Sequence, residues 1–163
     1  MLALIAAAAV AASQPAAKPP SVVPAPATLK REEVEAWTRR YVPGRWLLIG
    51  YDYEGVKLVA PGAIRATPEG FAEADVRTEL FHPIALKAGV TARSGVGHWN
   101  VDCEGGKLAV LTMVVYAGNN LDRELARMDT HGPEWQEPVG SEAQAMKQVC
   151  QAIGRKVRLG PVV

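Results

Sequence analysis

The sequence predicts an α+β domain: an antiparallel β-sheet with one helix before it, another after it, and a disulfide tying the second helix to the sheet. Three observations carry this. Apolar residues recur at helical spacing before residue 43, the period falls to two from Arg45 onward, and an apolar helical stripe near the C-terminus holds one of only two cysteines.

The first element starts near Thr28, a suitable N-cap, with Val34, Trp37 and Tyr41 on one face. Glu32, Glu33 and Glu35 precede Arg39 and Arg40, which suits the helix dipole, and Pro43-Gly44 stops the helix. Trp46 to Tyr51 and Val56 to Val59 flank Asp52 to Gly55 as the arms of a hairpin flank its turn. Ala72 to Leu80 alternates small or apolar with charged residues, predicting one dry face and one wet face. His82-Pro83 then breaks that strand, and a loop runs from Leu86 to Gly97.

Trp99, Val101 and Cys103 share one face of the next strand, with His98, Asn100 and Asp102 on the other, before the tight turn Glu104-Gly105-Gly106. Lys107 to Ala117 is apolar on both faces, as in a central strand or one buried in a dimer, and Asn119-Asn120 ends it. Leu121 to Gly140 has no readable period, although Leu125 and Met128 hint at a short strand or a turn of helix. Ser141 and Gln144 have the spacing of a capping box. Met146, Val149, Cys150 and Ile153 then make the stripe that Gly154 closes.

The unbroken apolar run Leu2 to Ala12, followed by small residues at Ala11-Ala12-Ser13, reads as a signal peptide over residues 1–13. At ~11 residues it is far shorter than the ~20 that span a bilayer, so no membrane span is expected after cleavage. Residues 14–27 carry five prolines and read as a Pro/Ala-rich linker, a tether for a domain over 28–156 with a tail at 157–163. Cys103 and Cys150 fit neither a zinc pattern nor a Cys-x-x-Cys motif. An even count in an exported chain argues for a bridge, and both thiols face the layer between sheet and helix. No cysteine follows the apolar run to accept a lipid, so the expected address is periplasmic or secreted.

Eighteen Lys and Arg against seventeen Asp and Glu leave a net charge of +1, which excludes the basic excess of a nucleic-acid binder. Motifs for chemistry are sparse. Ser94 lacks the preceding glycine of a nucleophile elbow, and Gly95-Val96-Gly97 lacks the third glycine of a dinucleotide loop. His82, His98 and His131 have no metal-ligand spacing, and Arg77 interrupts the row of Glu73, Asp75 and Glu79, which reads as a solvated face. Trp46, Trp99 and Trp135 could line a ligand groove, but two of the three are assigned to packing. No catalytic residue, cofactor or metal is expected.

The order of Ser94 ahead of Trp99-Asn100-Val101-Asp102-Cys103, a strand ending in Val114-Val115-Tyr116, Trp135 ahead of Pro138-Val139-Gly140-Ser141, and Val149-Cys150 on the final helix resembles the surface-adhesin protein E family of Gram-negative bacteria, over roughly Trp46 to Ile153. The resemblance implies a sheet of about six antiparallel strands with the C-terminal helix disulfide-tethered across it. It also implies dimerisation and, for the member that names the family, attachment to host extracellular-matrix proteins. Cys103 and Cys150 carry over residue by residue; the host-binding segment has no match here.

The expected function is therefore that of an exported, non-enzymatic domain binding a protein or small ligand on an open sheet face that includes Tyr51, Tyr53, His98, Asn100 and the row Glu73 to Glu79. The alternatives are an envelope enzyme with a site assembled around His98, Asn100 and Asp102, and a structural homodimer paired through Lys107 to Ala117.

Overall fold

The computed structural model describes residues 18–87 and 89–156. The expected signal peptide, residues 14–17 of the linker and the tail 157–163 lie outside the described residues. Helix α1 (Arg31–Tyr41) precedes strands β1 (Leu47–Tyr51), β2 (Gly55–Val59), β3 (Arg65–Ala66), β4 (Ala72–Lys87), β5 (Val90–Asp102), β6 (Lys107–Tyr116) and β7 (Glu124–Asp129), and helix α2 (Gly140–Ala152) follows. The strands form one antiparallel sheet in the order β1-β2-β4-β5-β6-β7, with β3 paired to β4. The expected α+β class with two helices and an antiparallel sheet is what the chain adopts.

Each face of the sheet has its own core. On one, Val34 and Trp37 of α1 pack with Val56, Leu58 and Phe81, and the Trp37 and Phe81 rings meet edge to face with centroids 5.1 Å apart. On the other, Met146, Val149 and Cys150 of α2 pack on Ile49, Val59, Ala74, Val76, Trp99 and Val101. The Cys103–Cys150 disulfide lies in this second core, with Cα atoms 5.8 Å apart and both residues fully buried. At Gly50 the backbone of α2 lies against the strand, since a Cβ there would collide with the carbonyl oxygen of Ser141.

Several expectations need correction. Helix α1 starts at Arg31; Thr28 lies outside it, its hydroxyl accepting from the Lys30 amide at 3.2 Å while the Glu33 carboxylate accepts from the Thr28 amide at 2.9 Å. The Ser141–Gln144 capping box does not form. Val139 is the N-cap, the Ser141 amide donates to Asp52 Oδ2 at 3.1 Å, and Gln144 Oε1 accepts from the Tyr51 amide at 3.3 Å, so the hairpin supplies the acceptor that the cap needs.

His82-Pro83 does not end β4, which continues to Lys87, and the expected loop from Leu86 is the tip and return arm of a long β4–β5 hairpin. Pro83 is tolerated because it falls in an irregular stretch between Glu79 and Ile84 and beyond the end of β2, where its missing N–H breaks no ladder bond. The row Glu73 to Glu79 is not a wet face throughout: Asp75 is exposed, but Arg77 is 5% accessible and Glu79 is fully buried.

Strand β6 is paired with β5 along one edge and, on the other, with β7 over Thr112 to Tyr116 and with Gln136 through an isolated bridge at Leu108, so it lies inside the sheet rather than at its rim. The described part of the linker, finally, lies against the domain. Val23 is buried, its amide donating to Asn119 Oδ1 at 3.3 Å; the Asn119 amide donates to the Ser21 carbonyl at 2.7 Å, and the Trp37 indole N–H donates to the Pro24 carbonyl at 2.6 Å. Proline removes donors and leaves carbonyls, so a proline-rich segment is held where the domain offers N–H groups.

Candidate functional site

Strand β1 ends the sheet, and its outer edge has no partner strand among the described residues. Helix α1 stands on one side of that edge and α2 on the other, and the space between them is a groove whose floor is the strand itself. One cavity of about 560 Å³ spans Leu47, Leu48 and Ile49; a second of about 220 Å³ continues it along Leu48 to Tyr51. Arg31, Glu35, Thr38 and Arg39, one face of α1 at spacings of four and three, form the first wall. Gln144, Lys147, Gln148, Gln151 and Ala152, one face of α2, form the second. Trp46 and Ile64 line the far end of the larger cavity.

The edge is polar in its backbone and apolar in its side chains. Leu48 packs into the α1 core and Ile49 into the α2 core, whereas Leu47 is half exposed. The Tyr51 amide points out of the sheet, as its bond to Gln144 shows. The walls carry three cations and one acid. Glu35 is shared by Arg31 Nε at 2.8 Å and Arg39 at 3.8 Å, and Lys147 has no ion-pair partner among the described residues. Such a groove sets the partnerless edge of a strand, its Tyr51 amide already taken by Gln144, under a net positive rim.

Asp52 fixes the end of the groove at the hairpin turn. Burial pushes its carboxyl pKa up. Hydrogen bonds from the Ser141 hydroxyl and from the backbone amides of Glu54, Ser141 and Gly55 outweigh that, and the carboxyl titrates below its ordinary value. A pKa depressed in the folded state contributes stability that is present above the unfolded value near 4 and lost as pH falls through the folded one. Asp52→Asn is therefore expected to narrow its stability deficit against the parent as the pH drops from about 5 to about 2.5. The difference should stay under about 1 kcal/mol because the group is partly solvated. Urea midpoints across that range test this, and parallel pH profiles would show that the carboxylate is not linked to folding.

The residues expected to form one ligand face are dispersed. Tyr51 borders the groove with its side chain against the α1 core, and Tyr53 is 73% exposed at the hairpin turn, beside a third cavity of about 210 Å³. His98 and Asn100 lie farther along β5. His98 Nδ1 is 2.8 Å from Asp75 Oδ1, and Asp75, His98 and Thr112 stand abreast on β4, β5 and β6. The side-chain oxygen of Asn100 is buried and has no hydrogen-bond partner among the described residues. None of the three cavities is lined by His98 or Asn100.

Of the tryptophans, Trp99 is core, Trp135 packs on Phe71 at 5.2 Å, and Trp46 alone lines the groove. No helix among the described residues is long and apolar enough to cross a membrane, and no group of three or more His, Cys, Asp or Glu among them could hold a metal ion. Sequence reasoning missed the groove. Its one signal was the polar series Gln144, Lys147, Gln148 and Gln151, which resembles any solvated helix face.

The chain matches no family model, no curated protein and no solved structure.

Proposed function

We propose that this chain is an exported binding domain without a catalytic site, engaging a protein partner through the groove beside β1. The observation that carries this is the cavity of about 560 Å³ that has a free strand edge as its floor. A site floored by a sheet-edge strand, with no acid–base or nucleophilic cluster among its described lining residues, suits recognition rather than turnover. The buried disulfide fits a chain that matures in an oxidising compartment, periplasmic or extracellular. An adhesin-like role of the kind the protein E resemblance implies is compatible with this reading.

Purified oxidised protein used as bait in envelope extract should recover a partner. Gln148→Trp, which fills the groove from an exposed position on α2, should lose that partner, whereas His98→Ala should keep it. Repeated recovery of nothing would sink the proposal, and so would loss with His98→Ala but not with Gln148→Trp. The enzymatic reading keeps one specific support, the 2.8 Å His98–Asp75 contact beside Thr112. A His98→Ala protein that loses a hydrolytic activity present in the parent would favour it.

A further inference from the structure

We infer that the groove takes an extended, acidic peptide segment of another protein, which adds to the sheet as an eighth strand beside β1. This rests on the binding-domain reading above and names the partner's chemistry. Neighbouring strands lie ~4.8 Å apart, so a segment hydrogen-bonded to β1 would run between α1 and α2, where the cavities already lie in line along residues 47–51. Main-chain pairing with an exposed edge supplies affinity largely independent of sequence, and the walls supply the preference.

Flanking helices often shield a sheet edge, as does a bulge such as the one between Leu48 and Gly50. Here, however, the helices leave room for a strand. They also select the occupant. A second copy approaching edge to edge would bring its own α1 and α2 to the same line, where four helices would collide; a lone strand carries no such walls.

Charge decides what that strand bears. Arg31 and Arg39 share Glu35, so the α1 wall keeps an excess positive charge, and Lys147 faces it from α2. Asp or Glu flanking the paired run would meet these cations at the exposed rim, whereas Lys or Arg would be repelled. The half-exposed Leu47 offers an apolar contact at one end.

The test is selection from a displayed library of random dodecapeptides against the full oxidised chain. Enriched peptides should share a run of about five β-forming residues bordered by Asp or Glu. A synthetic copy should shift the amide resonances of Leu47 to Tyr51. The same peptide with alternate backbone nitrogens methylated should lose binding. The double substitution Arg39→Glu with Lys147→Glu, both on solvated helix faces, should weaken it about tenfold or more while leaving the circular dichroism unchanged.

Enriched peptides that lack acids, or whose affinity survives charge reversal, would overturn the proposal. So would a footprint centred on His98, a dimer that protects the β1 amides, or movement of those amides when residues 157–163 are deleted before any peptide is added. An empty selection, alongside a partner from envelope extract that Gln148→Trp still captures, would overturn the strand pairing and the choice of groove but leave a binding domain.

Discussion

Replacing Cys103 and Cys150 together with alanine is expected to lower the unfolding free energy by about 4 kcal/mol, the chain-entropy value for a closed loop of about 48 residues. The bridge encloses β6, β7 and the irregular stretch that leads to α2; β6 adds Leu108 and Ala109 to the core, whereas β7 is largely exposed and Trp135 packs on Phe71. Alanine avoids placing a hydroxyl in a fully buried site, so the loss reports the crosslink and two small side-chain truncations rather than a new polar group. For a domain of this size the melting temperature should fall by roughly 10–15 °C in calorimetry. The loss should also reach the groove, since α2 is one of its walls and Cys150 anchors that helix to the sheet. A variant that melts with the parent and binds peptide equally well would show that packing alone places α2.

The elements legible in the sequence were those whose signals are local. The β1–β2 hairpin, the face shared by Trp99, Val101 and Cys103, and the apolar stripe of α2 each follow from a period or a turn over a dozen residues, and the disulfide followed from placing two such faces against one layer. What escaped depends on residues distant in sequence. The alternation in β4 gives a polar row, but whether that row is wet depends on what covers it. Over Arg77 and Glu79 the cover is Trp46 on one side and the loop at Asn119 on the other. Pro83 reads as a strand breaker unless one knows that β2 ends before it reaches it. The groove was hidden for the same reason: a strand's place at the edge of a sheet is a property of topology, and no residue in Leu47 to Tyr51 announces it.

Glu79→Gln should cost about 3–5 kcal/mol, the usual penalty for removing one member of a buried ion pair. Glu79 is fully buried and all its bonds are accepted: Oε1 takes Arg77 Nε at 2.8 Å, and Oε2 takes Asn119 Nδ2 and the Asn120 amide, each at 3.0 Å. A glutamine turns one of those oxygens into a donor facing donors and leaves the Arg77 guanidinium, stacked 4.9 Å from the Trp46 ring, without its counter-charge. The network also holds backbone that would not adopt its shape unaided. Asn120, Leu121 and Arg123 have φ of 60°, 56° and 60°, a region that costs a side chain such as leucine roughly 1–2 kcal/mol. The same loop carries Asn119, whose bonds to Ser21 and Val23 fix the N-terminal segment. Glu79→Gln is thus expected to speed tryptic cleavage after Arg123 as well as to lower the urea midpoint. Adding Arg77→Leu should cost less than the sum of the two single changes, because it removes the stranded charge. A loss below about 1 kcal/mol, or additive costs, would mean that the asparagines and the backbone hold this loop without help from the ion pair.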